Sequence, residues 1–113
     1  MSNNYAWTLM ESGRLDEAMA EAIRGLNNDV DNVRLRTTLA TIHYRRGDGT
    51  QALHHFERAL GTTAAHYNLA ILDIDSGNFD SARNHLQLAN HDPNLIASSN
   101  KLLAALDTSI NDR

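Results

Sequence analysis

Residues 67–82 read Tyr67-Asn68-Leu69-Ala70-Ile71-Leu72-Asp73-Ile74-Asp75-Ser76-Gly77-Asn78-Phe79-Asp80-Ser81-Ala82, and their reading decides the fold. Ala70 stands seven residues before Gly77 and Ala82 five after it. The same arrangement surrounds Gly47, with Ala40 and Ala52, and Gly13, with Ala6 and Ala18. Twelve residues after each glycine comes another small residue (Gly25, Ala59, Ala89), and eight before it an apolar or aromatic one (Tyr5, Leu39, Leu69). The three glycines are 34 and 30 residues apart. A period in the thirties belongs to stacked helix pairs rather than to propeller blades or heptads. The four residues missing from the second interval fall between Leu60 and Ala64, in a connection between hairpins.

Local signals agree with helical hairpins. Asp16, Thr50 and Asp80 each lie three residues after a glycine, where a side-chain oxygen can accept from the free N–H groups of a new helix. Small residues at the crossing points let two helix backbones approach closely, while Phe56 and Leu86 fill the space between them. Asp92 and Pro93 are expected to cap and start a last helix, since proline suits the first turn. That helix carries Leu95, Ile96, Leu102, Leu103, Leu106 and Ile110 among polar residues, the pattern of an amphipathic lid on a repeat array.

Small residue, helix, glycine turn and second helix, at this period, resemble the tetratricopeptide repeat over nearly the whole chain. Residues 67–82 and Gly13-Arg14-Leu15-Asp16-Glu17-Ala18 carry the resemblance best. Where that family often has tryptophan in the first turn of its first helix, this chain has Arg36 and His66. The resemblance implies an all-α, right-handed solenoid of about seven helices in one domain. Its repeats span about residues 1–30, 33–62 and 63–92, and its capping helix about 93–110.

It also implies a concave groove, lined by the first helix of each hairpin, that grips a peptide segment or a helix. By distance from each glycine, the groove residues are Asn3, Asn4, Trp7, Met10 and Glu11 in the first repeat. They are Arg34, Thr37, Thr38, Thr41, Tyr44 and Arg45 in the second, and Ala64, Tyr67, Asn68, Ile71, Ile74 and Asp75 in the third. Trp7, Tyr44 and Tyr67 offer large contact area with a polar end, the composition of binding hot spots. The family's chaperone-tail receptors use lysine, asparagine and arginine on this face. The equivalent positions here hold Asn3 and Trp7, Thr38, then Ala64 and Asn68, so no such clamp is present.

Other function classes find little support. The net charge of −4, with nine arginines and one lysine, gives no general attraction to nucleic acid. Arg34, Arg36, Arg45 and Arg46 do crowd onto one helix. Arg34 and Arg45 share a face there and Arg36 points elsewhere. The cluster reads as a solvated, paired surface, with an anchor for a carboxylate or an acidic peptide as the sharper alternative. The chain has no cysteine and no nucleophile elbow, phosphate loop or helical metal-binding histidine pair. Catalysis, a cofactor and a metal are therefore not expected. His55 and His85 occupy equivalent outer places in successive repeats and read as solvated surface histidines. His43 and Asp73, four residues before their glycines, suggest a pair across the repeat interface.

No apolar run approaches the roughly 20 residues that span a bilayer, and the first residues, Met-Ser-Asn-Asn, lack the regions of a secretory signal. A cytoplasmic location is the default, and an exported one is open if the chain is part of a longer protein, as a first hairpin beginning inside a repeat suggests. The expected function is a non-catalytic adaptor whose partner is another protein, held as a peptide or helix in the groove. The alternative is a self-assembling structural subunit that stacks on further copies through its terminal helices.

Overall fold

The computed structural model describes the backbone of residues 2–111 and the side chains of residues 4–108. The described residues form seven helices and no strand. In chain order these are α1 (Ser2–Glu11), α2 (Leu15–Asn28), α3 (Val33–Arg45), α4 (Gly49–Leu60), α5 (Thr62–Ser76), α6 (Phe79–Ala89) and α7 (Ile96–Asn111). They divide into two compact units, α1–α4 and α5–α7, with the boundary after Leu60. That boundary falls where the repeat register loses four residues.

In the first unit α1 packs on α2 and α3 on α4, while α3 also lies against α1 and α2. The alanines flanking the glycines explain why the pairs can close. Ala6, Ala18, Ala40 and Ala52 are all fully buried, each allowing a helix backbone to approach where a larger side chain would hold it away. Leu9, Met10, Leu26, Leu35, Leu39 and Ile42 complete the core, with Leu15 and Met19 packed against it. Phe56 fills the space beside Ala52 in the sequence pattern and is buried as expected.

The second unit repeats this arrangement. Fully buried Ala70 and Ala82 stand with Leu86 and Leu106 in one core, and Tyr67, Ile74, Phe79, Leu102 and Leu103 pack against it. The last helix contributes Leu102, Leu103 and Leu106 to this core, whereas Leu95 precedes the helix, Ile96 at its first position is 45% exposed and Ile110 lies outside the described side chains. Of the residues eight before each glycine, Leu39 and Leu69 are buried, whereas Tyr5 is exposed.

Helix boundaries correct the four expected caps, Asp16, Thr50, Asp80 and Asp92. Asp16 and Asp80 lie inside the first turns of α2 and α6, whose N-cap residues are Arg14 and Asn78 without a side-chain cap bond. Their carboxylates act there on the positive end of the helix rather than as caps. Thr50 is likewise inside α4, and Asp48 does the capping, its Oδ1 accepting from the Gln51 N–H at 3.1 Å. Asp92 and Pro93 precede α7 by a turn. Asp92 Oδ1 accepts from the Asn94 N–H and Oδ2 from the Thr63 hydroxyl, which ties the turn to the start of α5 before the helix begins at Ile96.

Gly77 ends α5 in the left-handed region, at φ 81° and ψ 11°. The Asn78 N–H then reaches back to the Asp73 carbonyl at 2.8 Å, and the Gly77 N–H to that of Ile74. A Cβ at this position would meet nothing within 4 Å, so the backbone conformation alone sets the penalty of a side chain. Gly77→Ala is expected to lower stability by about 1 kcal/mol, measured as a shift of the urea midpoint at unchanged slope.

Candidate functional site

The first helices carry the residues on which binding was expected. In the first unit, Arg45 of α3 donates to Glu11 of α1 at 2.9 Å. Residues four apart on a helix share a face, so this ion pair sets the side of α1 bearing Trp7 and Glu11 beside the side of α3 bearing Thr37, Thr41, Tyr44 and Arg45. Trp7 is 46% exposed. Arg34 and Arg45 are exposed, and Thr37 and Tyr44 are half-buried.

Three expected groove residues are not available on the surface. Met10, at 1% exposure, belongs to the core shared by α1, α2 and α3. Thr38 and Thr41 are also buried, and the Thr41 hydroxyl donates to the Thr37 carbonyl one turn earlier. The groove register counts residues along a face, whereas burial follows how deeply each position sits against the neighbouring helix. Asn3 lies outside the described side chains.

In the second unit, Tyr67 and Asn68 are half-buried on α5 and Ile71 is exposed one turn further on. The Asn68 amide donates to the Ala64 carbonyl. Tyr67 packs its ring against the core of α5, α6 and α7, so only part of its surface remains for a partner.

Two family models described as tetratricopeptide repeat match the chain, over residues 34–68 and 63–87. The chain contains tetratricopeptide repeats over residues 34–87. No curated protein sequence matches it. Repeats of this family generally mediate protein–protein interaction and are typically scaffolds without catalytic activity. No described helix is long and apolar enough to cross a membrane.

The repeats depart from the family's aromatic first turn by building a polar cluster instead. Arg36, buried in α3, donates from Nη1 to His55 Nδ1 of α4 at 3.2 Å and from Nη2 to the Val30 carbonyl at 3.0 Å. The His55 ring stacks on that of His43, with centroids 5.3 Å apart. Thirty residues later the same three positions hold His66, His85 and Asp73. There His66 Nδ1 and His85 Nδ1 lie 2.8 Å apart, and Asp73, buried in α5, accepts from the Ser81 hydroxyl at 2.7 Å with His85 Nε2 at 4.0 Å.

These clusters fix protonation. Arg36 can only donate, so His55 accepts at Nδ1 and carries its proton on Nε2. Burial pushes His55 down to about 4, and the charges of His43, Arg36, His54 and Arg58 act in the same direction. His66 and His85 can hold only one proton between their facing Nδ1 atoms. Burial lowers His85, with His66 adding to the shift and Asp73 opposing it. His43 is lowered by burial as well, Asp48 opposing.

His55 and His85 are therefore half-buried members of their own hairpins, which corrects their reading as solvated surface residues. The sequence did hold the signal: Arg36 and His66, His55 and His85, and His43 and Asp73 are three pairs of repeat-equivalent positions at one interval. Each pair was readable, but only the hairpin geometry shows that they meet within a repeat. His43 and Asp73 each find partners inside their own unit. No group of three or more metal-ligating side chains occurs among the described residues. The arginine-rich helix also resolves into parts, since Arg45 pairs with Glu11, Arg46 with Asp16, and Arg36 turns inward.

Proposed function

We propose that this protein is a non-catalytic adaptor that binds a peptide segment or a helix of another protein on its first-helix faces. The observation that carries the reading is the packing of α1 against α3, with the Glu11–Arg45 pair between their exposed sides and Trp7 46% exposed on α1. Trp7 and Tyr44 supply contact area at small cost in side-chain freedom, and Arg34 offers a guanidinium with no ion pair among the described residues for an acidic group. Packed helices keep these groups in position before the partner arrives, so the ordering cost on binding falls mainly on the partner. On α5, Tyr67, Asn68 and Ile71 offer a further set of the same composition.

The test is a peptide selected from a random library for binding the wild-type chain, with its Kd then measured on variants. Trp7→Ala and Tyr44→Ala are each expected to weaken it at least about tenfold, the effect of a modest hot spot, with helicity unchanged by circular dichroism. Equal affinity in both variants would move binding off this face.

A further inference from the structure

Between the α2–α3 connection and the end of α4 lies an open cleft of about 80 Å³, lined by Val30, Asp31, Asn32, Val33, Arg36, Arg58 and Ala59. A water occupies roughly 30 Å³ in the liquid, so the cleft has room for a small oxyanion group.

Its walls carry two guanidinium groups and no counter-charge in contact with them. Arg36 is only 8% exposed, yet its bonds go to two neutral acceptors, an imidazole nitrogen and a carbonyl oxygen. Arg58 is exposed and makes no ion pair with the described residues. Asp31, the carboxylate of the lining, stands outside ion-pair distance of both. A buried cation held only by neutral partners carries a desolvation penalty that an opposite charge would offset. The positive end of α3 opens at the same place, Asn32 and Val33 lining the cleft and Asn32 Oδ1 being taken up by the Leu35 N–H. The local field agrees: burial and the neighbouring Arg58 both push Arg36 down from its usual value, Asp31 opposing.

We propose that this cleft is an oxyanion site in which Arg36 and Arg58 hold a sulfate- or phosphate-type group or a carboxylate. Arg36 is fixed by His55 and Val30 and so is preorganised, while Arg58 closes on the anion from the exposed side. The site is separate from the first-helix faces and stands whether or not those bind a peptide.

Two probes distinguish the sources of the anion: inorganic sulfate, compared with chloride at matched ionic strength, and a terminally blocked oligo-glutamate peptide. Binding is read from the amide resonances of Val33 and Arg34 and from the titration of the His55 ring. Saturable shifts with sulfate assign the site to a free oxyanion, and saturation by the peptide alone assigns it to a partner's carboxylate. In either case His55 should titrate higher when the site is filled, because the anion offsets the field of the two arginines. Arg58→Gln, which removes an exposed side chain without an ion pair and so leaves the fold intact, should weaken binding at least about tenfold. Lys101→Gln, which removes one positive charge in the other unit, should not. No saturable shift with either probe, or equal losses in the two variants, would overturn the proposal.

Discussion

Leu86→Ala is expected to destabilise the α5–α7 unit by about 3 kcal/mol, the middle of the range for deleting a buried leucine side chain. Leu86 is fully buried in a core whose other buried members are Ala70, Ala82 and Leu106. Two of these are alanines, which have no side chain long enough to move into the space a shortened residue would leave. The cavity closes only in part, through Leu106 and the partly buried side chains packed against this core, so a cavity contribution adds to the lost transfer energy. Leu88, two residues later on the same helix, is 47% exposed, and Leu88→Ala should change stability by less than about 0.5 kcal/mol. Urea unfolding followed by helical circular dichroism separates the two. Similar midpoints for both variants would mean that Leu86 does not anchor this core.

The contrast between Leu86 and Leu88 shows why the fold was legible in the sequence. A hairpin closes only where small residues face each other across it, so the spacing of Ala70, Gly77 and Ala82 states the geometry directly, and it does so again at Ala40, Gly47 and Ala52. The connection between hairpins after Leu60 was visible as four residues missing from the register, though not as the division between two compact units. Caps were less legible because the glycine turn leaves two or three polar residues in a row. Which of Asp48, Gly49 and Thr50 begins α4 depends on backbone angles rather than residue type. The candidate surface was legible only as a face. Counting from the glycines reached Trp7 and Arg45 on the outside and half-buried Tyr44, but also Met10, Thr38 and Thr41, whose burial depends on how close a neighbouring helix approaches. Side-chain identity misled most at Arg36, where charge suggested solvent and the hairpin instead supplied His55 and the Val30 carbonyl as partners.

Acidification is expected to destabilise the protein through its histidines before its carboxylates are neutralised. His55 is held at about 4 in the folded chain, against roughly 6.5 for an unperturbed imidazole. Below about pH 6.5 the unfolded chain binds a proton at this residue that the folded chain refuses, so the stability contributed by His55 is full above that value and lost as pH falls towards 4. The shifts of His43 and His85 have the same sign. A proton on His55 places an N–H against the Arg36 guanidinium, and a second proton on the His66–His85 pair places two N–H groups face to face. With allowance for the solvent that reaches this half-buried ring, the loss from His55 between about pH 7 and pH 4 is on the order of 2 kcal/mol, and His43 and His85 add to it in the same direction. The slope should already be present between about pH 6.5 and pH 5, where carboxylates still keep most of their charge. His55→Gln keeps an acceptor for Arg36 but cannot be protonated, and it should flatten that part of the profile. The Asp73 carboxylate faces His85 from α5 and favours its charged form, so His85→Gln should flatten the profile less. Urea midpoints measured across this range for the wild type and the two variants test the assignment. An unchanged slope in both variants would place the acid sensitivity on groups outside the two hairpin clusters.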